Sequence, residues 1–502
     1  MMQAKIGATG SESSPGHQGS WTSASLGECA DILDGRRVPI NSAEREKRTG
    51  GKHASELFPY YGATGQVGFI DGYLFNEEIV LLGEDGAPFL ERDKAKAYMV
   101  SGKTWVNNHA HVLRARSQTL TNSFLLHYLN HFDYHGYVTG TTRLKLTQAE
   151  MRKIPVPLPP LPEQHRIVAE IEKQFSRLDA AVAALKRAQI NLRRYRASVL
   201  KAACEGRLVP QDPNDEPASE LLKRNVAEHS HKKERQEGRP GELLDEHREQ
   251  SGHGLPLLPT KWCWTNLGQL KQFSLYGPRF SSDGYSDTGQ FVLRTSDISE
   301  YGRVDIVKAP RLCLEPDVFA KYKVERGDLL VTRTGSLGTL AVFNDEVDAI
   351  AGAYLIQYRL SAPITTSWYV FYALRSPSGL QQLLRKGAGV GRPNLNAPNL
   401  EMIPIPLPPL AEQRRIVAEV ERRLSVVDEL EAAVGANLKR AERLRQAILK
   451  RAFEGRLVPQ DPNDEPASVL LERIRVQRES SHGEAKLVRP GLRSASPAAR
   501  PR

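Results

Sequence analysis

The sequence lacks several features that would place the protein in a common class. No apolar run reaches the ~18 to 20 residues that a membrane-spanning helix needs, and the N-terminal MMQAKIGATGSESSPGHQG has no apolar centre typical of a secretory signal. The four cysteines are widely scattered, and none forms a C-x-x-C pair or a Cys/His cluster with metal-ligand spacing. These absences predict a cytoplasmic protein with neither a zinc site nor a disulfide framework.

Motifs for catalysis are also missing. The stretch AYMVSGKT has Ala97 where a phosphate-binding loop needs its first glycine, and KGAGVGR follows a helical pattern instead of a strand. Neither a D/N-P-P-Y/F motif of aminomethyltransferases nor a carboxylate-lysine cluster of nucleases is visible. The carboxylates Asp212, Asp215 and Glu216 stand among prolines. We therefore predict no catalytic residue and no metal site, while the net charge of +10 permits a nucleic-acid partner without requiring one.

What the sequence does contain is a long internal repeat. EGRLVPQDPNDEPAS, Glu205 to Ser219, returns unchanged at Glu454 to Ser468. Upstream, IPVPLPPLPEQHRIVAEIE from Ile154 matches IPIPLPPLAEQRRIVAEVE from Ile403 without a gap. Of the 71 aligned positions 42 are identical, but only 7 of the 25 positions from Ala180 to Cys204 are. The ends of the repeat are therefore nearly fixed, whereas its middle has drifted.

The middle of each repeat has the period of a coiled coil. Apolar residues recur every seven positions on two alternating seams, which predicts a long helix that pairs left-handedly with a second helix. The first copy carries Ile171, Leu178, Leu185, Leu192 and Val199 with Phe175, Val182 and Ala203; the second carries Val420, Val427, Val434 and Ile448 with Leu424, Leu438 and Ala452. Gln189, Arg196, Glu431 and Arg445 interrupt these seams. Two surface helices, each packed on its own domain, are the alternative.

The borders of both helices are marked in the sequence. Prolines 155 to 162 force an extended approach, so the first helix begins only near Pro162. Gly206 and Gly455 supply the left-handed stop that is common after a helix. About 42 residues at ~1.5 Å each make a rod of roughly 60 Å. We expect the two rods to pair with each other.

A segment with short, strand-like runs precedes each helix. The first contains GQVGFI, EEIVLL and TWVNNHAHVLR, and the second contains GQFVLRTSDI, GDLLVTRTGSLG and AYLIQYRL. Both end in a helical stretch, NSFLLHYLNHF or WYVFYALRSPSGLQQLLRK, followed by a glycine-rich basic loop. Both also open alike, because Trp21 with Leu26-Gly27 parallels Trp262 with Leu267-Gly268. Most of the remaining sequence of the two segments does not align.

These motifs are similar to those of a known family. I-P-[VI]-P-L-P-P-L-x-E-Q-x-R-I-V-A-E and E-G-R-L-V-P-Q-D-P, each present twice, together with LPLLPTKWCWTNLGQL and GDLLVTRTGSLG, resemble the specificity subunit of type I DNA restriction-modification systems. The resemblance covers nearly the whole chain except about 20 residues at the start and about 25 at the end. One departure is that the first half has only GSWTSASLG where the second has LPTKWCW.

The resemblance implies an α+β fold built from two copies of one unit. Each unit is a mixed α/β target recognition domain followed by a long helix, and the two helices pair as an antiparallel coiled coil with pseudo-two-fold symmetry. The predicted regions are a flexible tail (1–20), target recognition domain 1 (21–153), repeat helix region 1 (154–225), a charged linker (226–255), target recognition domain 2 (256–402), repeat helix region 2 (403–476) and a basic flexible tail (477–502).

The resemblance also implies a function and partners. Each recognition domain would read half of a bipartite site in double-stranded DNA, and the helices would act as spacer and docking surface for two modification subunits. Those subunits would bind S-adenosylmethionine and methylate adenine, and restriction (motor-nuclease) subunits would use ATP and Mg; this chain would hold no cofactor. Two other classes stay open: a stand-alone nuclease or methyltransferase, active without partners, and a coiled-coil scaffold that prefers no DNA sequence.

Candidate contact residues are predicted by side-chain chemistry. Arg, Lys, Asn and Gln have donors that read base edges, and hydroxyl groups suit phosphates. For DNA the candidates are Tyr60, Tyr61, Thr64, Gln66, Lys103, Thr104, Asn107, Asn108, Thr141, Thr142, Arg143 and Lys145 in the first domain, and Arg294, Thr295, Ser296, Arg333, Thr334, Ser336, Lys386, Arg392, Asn394 and Asn396 in the second. For the modification subunits they are Arg207, Leu208, Val209, Gln211 and Asp212 with Arg456, Leu457, Val458, Gln460 and Asp461. A solvated loop residue is the alternative for each, and Tyr60 and Tyr61 also fit a core.

Overall fold

A computed structural model of the chain describes residues 20–225, 255–334, 338–386, 395–473 and 475–476. The predicted tails and the predicted charged linker therefore lie outside the described residues, apart from Ser20 and Leu255 at their borders. Within the described ranges, no helix is both long and apolar enough to cross a membrane.

The chain folds into two compact units that do not follow the order of the sequence. The first unit comprises residues 1–185 and 436–502, and the second comprises residues 186–435. The division passes through both long helices, so each unit holds one recognition domain together with one part of each helix. The predicted regions divide the chain at the ends of the helices instead, and those boundaries stay a prediction.

Recognition domain 1 alternates short strands with short helices and leads into the first long helix. Its elements are β1 (Thr22–Ser25), α1 (Leu26–Cys29), β2 (Ala30–Ile32), α2 (Ser42–Thr49), β3 (Phe58–Gly62), β4 (Gly65–Ile70), β5 (Phe75–Asn76), β6 (Ile79–Gly83), β7 (Ala97–Val100), β8 (Lys103–Val106), β9 (Ala110–Ala115), α3 (Asn122–His131), β10 (Val138–Thr139), β11 (Lys145–Leu146), α4 (Gln148–Arg152), β12 (Pro155–Leu158) and α5 (Leu161–Cys204).

Recognition domain 2 has the same kind of order between the long helices. Its elements are α6 (218–225), β13 (Cys263–Asn266), α7 (Leu267–Leu270), β14 (Lys271–Tyr276), β15 (Gln290–Leu293), β16 (Arg311–Leu312), α8 (Pro316–Tyr322), β17 (Leu329–Thr332), β18 (Leu340–Val342), β19 (Ala349–Ala351), β20 (Leu355–Leu360), α9 (Ser367–Arg375), α10 (Pro377–Lys386), α11 (Ala397–Glu401), β21 (Pro404–Leu407) and α12 (Leu410–Phe453), followed by α13 (467–473).

The two recognition domains share a sheet topology although their sequences do not align. Each has an antiparallel four-stranded sheet, in the order β2-β9-β6-β7 or β14-β20-β17-β18. Each also has a mixed sheet in which one parallel pair, β3 with β8 or β15 with β19, continues into an antiparallel neighbour. In the first domain β5 extends that sheet. Equivalent strands therefore appear in the same chain order in both domains.

Buried apolar side chains hold the strands together, as their sequences predict. The inner strands β6 and β17 are buried along their whole length, which suits the runs IVLLG and LLVT. In the first domain the antiparallel sheet packs on α3, and in the second on α9. Two expectations need correction. Pro377 divides the expected single helix into α9 and α10, because proline cannot donate the backbone bond that would continue α9. The glycine-rich basic loop expected after the first helical stretch, residues 136–147, contains the hairpin of β10 and β11.

The predicted long helices are confirmed. Each has 44 residues, about 66 Å at ~1.5 Å per residue. The extended approach that the proline run predicts is strand β12, which pairs antiparallel with β1 immediately before α5. Helix α5 begins one residue before Pro162. Gly206 and Gly455 adopt φ of +67° and +68° just after the helices end. All the predicted seam residues are buried or half-buried, and α5 pairs with α12.

Candidate nucleic-acid interface and repeated junctions

A tryptophan and a glutamate join each recognition domain to a long helix. In the second unit the indole N–H of Trp262 donates to Glu412 at 3.0 Å, and in the first unit Trp21 faces Glu163. Both carboxyl groups are buried near the start of a helix. Burial raises the pKa of Glu163 and of Glu412, while the indole N–H partly offsets that rise.

A buried glutamine makes the second contact of each junction. Gln164 accepts from Thr121 N at 3.0 Å and donates to the carbonyls of Thr119 and Pro159 at 2.8 and 3.0 Å. Gln413 accepts from Thr366 N and the Thr365 hydroxyl, both at 3.0 Å, and donates to the carbonyls of Ile364 and Pro408 at 2.9 and 3.0 Å. Each glutamine thereby satisfies backbone groups just before α3 or α9.

We call each set of contacts between a recognition domain and the start of a long helix a junction. An arginine completes each junction by binding the segment that follows the long helix of the other repeat, which we call the repeat tail (205–219 or 454–468). In the first unit Arg166 forms an ion pair with Asp464 at 2.7 Å, and in the second Arg415 forms one with Asp215 at 2.5 Å. Adjacent backbone bonds match as well, since Ala467 N donates to Ser20 O and Ala218 N donates to Lys261 O. Each tail therefore packs beside the opening tryptophan of the recognition domain that it does not follow in sequence.

The helices exchange ion pairs in the same reciprocal way. Arg196 of α5 contacts Asp428 of α12 in the second unit, and Arg445 of α12 contacts Asp179 of α5 in the first. Both arginines occupy the same repeat position, 249 residues apart, and so do both aspartates. Arg196 also lies 3.1 Å from Glu431 of α12, so three of the four polar residues that interrupt the predicted seams are paired across the helices. A partner for a charge in a partly buried seam offsets part of its desolvation cost.

The predicted partner-binding residues lie in two different environments. Leu208 is buried in the core of the second unit, and Val209, Leu457 and Val458 pack against the cores of their own units. The polar residues form the outer side of the same turns. Arg207, Gln211, Arg456 and Asp461 are exposed, and Asp212 and Gln460 are half-buried. Packing within the chain is therefore enough to explain why the apolar residues of the repeated stretch are the same in both copies.

Four loops of recognition domain 1 meet at one edge of its sheets. Asn107 N donates to Tyr61 O at 3.0 Å, Glu84 N to His109 O at 2.8 Å and Leu146 N to Glu84 O at 2.7 Å. These bonds join the β8–β9 loop, the end of β3, the β6–β7 loop and the end of β11, just before α4. We call this edge 1.

Edge 1 brings together several of the predicted DNA contacts. Asn108 is exposed there, and Arg143 forms an ion pair with Asp85 at 3.0 Å, while Lys145 lies 3.4 Å from Glu84. The ring of His109 is 2.7 Å from Asp85. Exposed residues of the adjoining turns are Thr64, Gln66, Thr141 and Thr142.

Other predicted contacts in the first domain lie elsewhere. Tyr60 and Thr104 are 2% and 1% exposed, and Tyr60 donates from its hydroxyl to Ile40 O. Asn107 is 8% exposed, and Tyr61 packs on Tyr98. Lys103, at the far end of β8 from Asn107, lies over the rings of Phe58 and Tyr73. Because Tyr60 and Thr104 are buried, we do not consider them as DNA contacts. For Tyr60 this agrees with the alternative that it belongs to the core.

A buried polar network lies in the domain interior next to edge 1. His111 lies between Asp34 Oδ2, at 2.6 Å from Nδ1, and Leu146 O, at 2.9 Å from Nε2. Burial alone would raise the pKa of Asp34, but the hydrogen bond and charge of His111 lower it overall. Asp34, Glu84 and His111 are close enough together to ligate a cation. Arg37 already supplies a positive charge, 2.8 Å from Glu84 and 3.4 Å from Asp34.

Recognition domain 2 has an equivalent edge. Gly352 N donates to Leu293 O at 2.8 Å, Arg333 N to Tyr354 O at 2.9 Å and Leu395 N to Arg333 O at 2.7 Å. These three bonds join the same strand ends as the three of edge 1. We call this second site edge 2. Arg333 there takes the backbone place that Glu84 has at edge 1.

Edge 2 also gathers predicted DNA contacts. The guanidinium group of Arg333 lies 4.9 Å from the ring centre of Tyr276, whose hydroxyl accepts from Ala397 N. Asn396 is exposed and caps α11, and Asn399 donates to the carbonyl of Lys386 at 3.5 Å. Thr334 is half-buried beside Arg333. Ser336, Arg392 and Asn394 lie outside the described residues.

Arg294 is less available than the sequence suggests. Its guanidinium group donates to both carboxylate oxygens of Asp297, at 3.0 and 2.8 Å, and to Lys308 O at 2.8 Å. Asp297 is buried, so this pair holds the turn that contains Thr295 and Ser296. The structure therefore assigns Arg294 a role in shaping the loop.

The junction residues were missed by sequence reasoning as individual contacts. Glu163, Gln164 and Arg166 stand in the E-Q-x-R part of the repeated motif, and each has its counterpart 249 residues later. Their exact recurrence was the signal that could have found them. A repeated polar triplet at the start of a helix indicates a contact made twice.

Comparisons with known proteins agree with this arrangement. The family model for the type I restriction modification DNA specificity domain matches residues 18–192 and 288–440. The EcoBI specificity subunit of a type I restriction enzyme from Escherichia coli is 25% identical over 93% of this chain and 94% of its own length. A putative type I specificity subunit from Haemophilus influenzae, S.HindORF215P, is 25% identical over 84% and 94%.

One solved structure supports the fold. It is a chain from a study of complex assembly and conformational transition in a type I R-M system, with a TM-score of 0.55 and 21% identity. The alignment covers 87% of this chain and 98% of that one. Since the two family matches together span more than half of the sequence, the chain belongs to the type I restriction-modification DNA specificity family, as a specificity subunit with two recognition domains.

Proposed function

We propose that each recognition domain reads one half of a bipartite site in double-stranded DNA, with α5 and α12 as the spacer between the two halves. The chain is the DNA specificity component of a type I enzyme and not its catalytic component. The proposal adds how the two domains and the paired helices divide that task.

The observation that carries the proposal is the equivalence of edge 1 and edge 2. The same three backbone hydrogen bonds place loops of unlike sequence at the same position on one topology. Loops on a rigid scaffold are where recognition residues concentrate. Two such edges in one chain suit a site with two different half-sequences.

We propose that exposed and half-buried side chains of both edges make the DNA contacts. At edge 1 these are Thr64, Gln66, Asn108, Thr141, Thr142, Arg143 and Lys145, and at edge 2 they are Thr295, Ser296, Arg333, Thr334, Lys386 and Asn396. Amide and guanidinium groups offer paired donors for base edges, whereas hydroxyl groups and lysines suit phosphates. The charge at the centre differs, since Glu84 stands at edge 1 where Arg333 stands at edge 2, and this supports different half-site sequences.

We further propose that two modification subunits dock on the repeated turns and helices. The exposed polar residues Arg207, Gln211, Arg456 and Asp461 offer the same chemistry twice, which suits two copies of one partner. The modification subunits would supply S-adenosylmethionine, and restriction subunits would supply the site for ATP and Mg. Such a complex acts where genomic DNA is, so we place the chain in the cytoplasm.

Mapping of methylated adenines in the host genome, with and without this chain, tests the proposal. We expect one bipartite motif to lose methylation when the chain is absent. Unchanged methylation would overturn the proposed role.

A single substitution tests edge 1. Arg143→Ala should weaken recognition by about 1–3 kcal/mol at one base pair of the first half-site and leave the second half-site unchanged. Arg92→Ala is the control, because Arg92 is a more exposed arginine of the same domain outside edge 1, with 82% of its side chain exposed against 63% for Arg143. Equal effects of both substitutions on the motif would contradict the assignment.

A further inference from the structure

A cavity of about 750 Å³ lies within the first unit, away from edge 1. It is bounded by residues that follow β6, by the end of α3 and by the last turns of α12. The volume lies within the ~300–1,000 Å³ typical of small-molecule sites. Neither the junctions nor the proposed DNA contacts use it.

The floor of the cavity is aromatic. Phe453 stacks on His131, with ring centres 5.4 Å apart and planes 21° apart, and it meets Tyr128 edge-on at 5.2 Å. Phe89 and Phe132 complete the wall. Such surfaces bind flat rings by offset or edge contacts.

The charges around the floor are mostly positive. Among the described residues of the lining, the cations are Arg92, Lys96, Lys450 and Arg456 and the carboxylates are Asp133 and Glu454. Arg92 lies 3.6 Å from Asp133, while Glu454 lies 3.8 Å from Lys450 and 3.4 Å from Arg456. Two positive charges are therefore left over in the lining.

Two buried nitrogen groups in the lining are not matched by an acidic partner. Lys96 is 2% exposed and donates to Glu91 O at 2.6 Å, and no carboxylate among the described residues is within 4.0 Å of its amine. His131 Nδ1 is buried and has no hydrogen-bond partner within the described ranges. Burial lowers the pKa of both side chains. A bound anion close to the ammonium group of Lys96 would compensate its buried charge.

The second unit does not repeat this floor. Residues at the equivalent places are Cys204 for Phe453, by the repeat, and Ala373 and Ser376 for Tyr128 and His131, counted from the matching helix caps Thr121 and Thr366. A docking surface for two copies of one partner has to be present twice. The aromatic floor is therefore not part of a surface that is present twice, although Arg456 at the rim is also one of the proposed docking residues.

We infer that the cavity binds a small aromatic anion, a planar ring that carries a phosphate or carboxylate group. The ring would lie on Phe453 and His131, and the anionic group would face Lys96 and the rim cations Arg92 and Lys450. This inference is independent of the proposed DNA contacts.

Calorimetric titration of the full-length chain tests the inference with two probes. Adenosine 5′-monophosphate and indole-3-carboxylate represent the two sources of such an anion, and adenosine and inorganic phosphate are the controls. We expect at least one probe to bind at one site, and adenosine and phosphate to bind at least about tenfold more weakly, a loss of ~1.4 kcal/mol. Binding of one probe alone assigns the source. No binding of either probe, or equal binding of adenosine or phosphate, would overturn the inference.

Matched variants locate the binding. Arg92→Gln with Lys450→Gln removes two exposed rim charges, with exposed side-chain fractions of 82% and 68%, and should weaken binding by about tenfold without unfolding the chain. Lys201→Gln is the control, because Lys201 holds the same repeat position as Lys450 in the unit that lacks the floor. Equal affinities of the double variant and the control would place any bound probe outside this cavity.

Discussion

The junctions of the two units and the edges of the two recognition domains are built on opposite principles. At the junctions, side chains recur: Glu163, Gln164 and Arg166 make the contacts that the residues 249 positions later make in the other unit. At the edges, backbone bonds recur while the side chains change. A fixed side chain suits a contact that must be made twice within the chain, and a fixed backbone with variable side chains suits the reading of two unlike sequences.

The comparison also changes the meaning of the repeated stretch from Glu205 to Ser219. Its identity with the stretch from Glu454 does not require a common partner, because each copy packs on the opening strand of a recognition domain. Asp464 binds Arg166 and Asp215 binds Arg415 through the same atoms. Docking of modification subunits on the exposed side of these turns stays a prediction.

Truncation of the chain after the first repeat should give the largest change, in both oligomeric state and DNA site. Residues 1–225 contain both the junction of recognition domain 1 and a tail identical to the one that docks there, so we expect two copies to exchange tails and dimerise. The dimer, with modification subunits, should methylate a palindrome of the first half-site. Light scattering and methylation mapping give the two readouts. A half-chain that is strictly monomeric with modification subunits present would show that the tails do not carry the pairing.

A matched deletion in both helices separates spacing from sequence. Removing 181–187 and 430–436 keeps the seam and leaves both interhelical ion pairs inside their own units. Seven residues shorten a helix by ~10 Å, or about three base pairs at ~3.4 Å each, with a rotation of roughly 100° about the duplex. We expect a shorter gap between unchanged half-sites, with weaker binding, in methylation maps.

The control for the deletion exchanges a recognition domain. Replacing Trp21 to Ala149 with another recognition domain should change one half-site and keep the gap. Full activity of the deletion variant on the old spacing would show that the helices do not set the distance.

Loss of a junction glutamine should cost about 2 kcal/mol of unfolding free energy, since buried backbone groups lose their partner. Gln413→Ala should cost more than Gln164→Ala, because Gln413 makes four hydrogen bonds and Gln164 makes three. Urea unfolding of the full chain measures both. Gln174→Ala, which loses the side-chain hydrogen bond to Glu170 on the same helix, is the control. Equal losses in all three variants would contradict the junction role.

The smallest effect concerns pH. Burial raises the pKa of Glu163 and Glu412 above 4.5, so the folded state binds protons more tightly than the unfolded state. The contribution of both groups to stability is therefore largest below pH ~4.5 and is lost as pH rises through their folded pKa. Glu163→Gln with Glu412→Gln should raise the melting temperature near neutral pH and flatten this part of the profile. A double variant with the same melting temperature as the wild type at every pH would contradict the predicted effect of the two buried carboxyl groups on stability.

Much of the fold could be predicted from particular residues. The prolines before Pro162 predicted the extended approach to α5, and Gly206 and Gly455 predicted the helix ends, because these residues restrict or permit backbone angles locally. Several candidate DNA contacts, such as Asn108 and Arg143, do lie together at edge 1. Tyr60 and Thr104 do not, because the packing of β3 and β8 in their sheet buries both side chains, and a list of residue types carries no such information.

The sequence by itself determined the repeat, the two helices, the seam that pairs them and the family resemblance, since each depends on residues near one another in the chain or on a repeated order. Only the tertiary structure decided which tail docks on which domain and that two unlike segments share one topology. Arg166 and Asp464 are 298 residues apart, and they meet because antiparallel helices bring the end of one repeat to the start of the other. Edge 1 and edge 2 coincide through backbone hydrogen bonds, which leave no trace in side-chain identity.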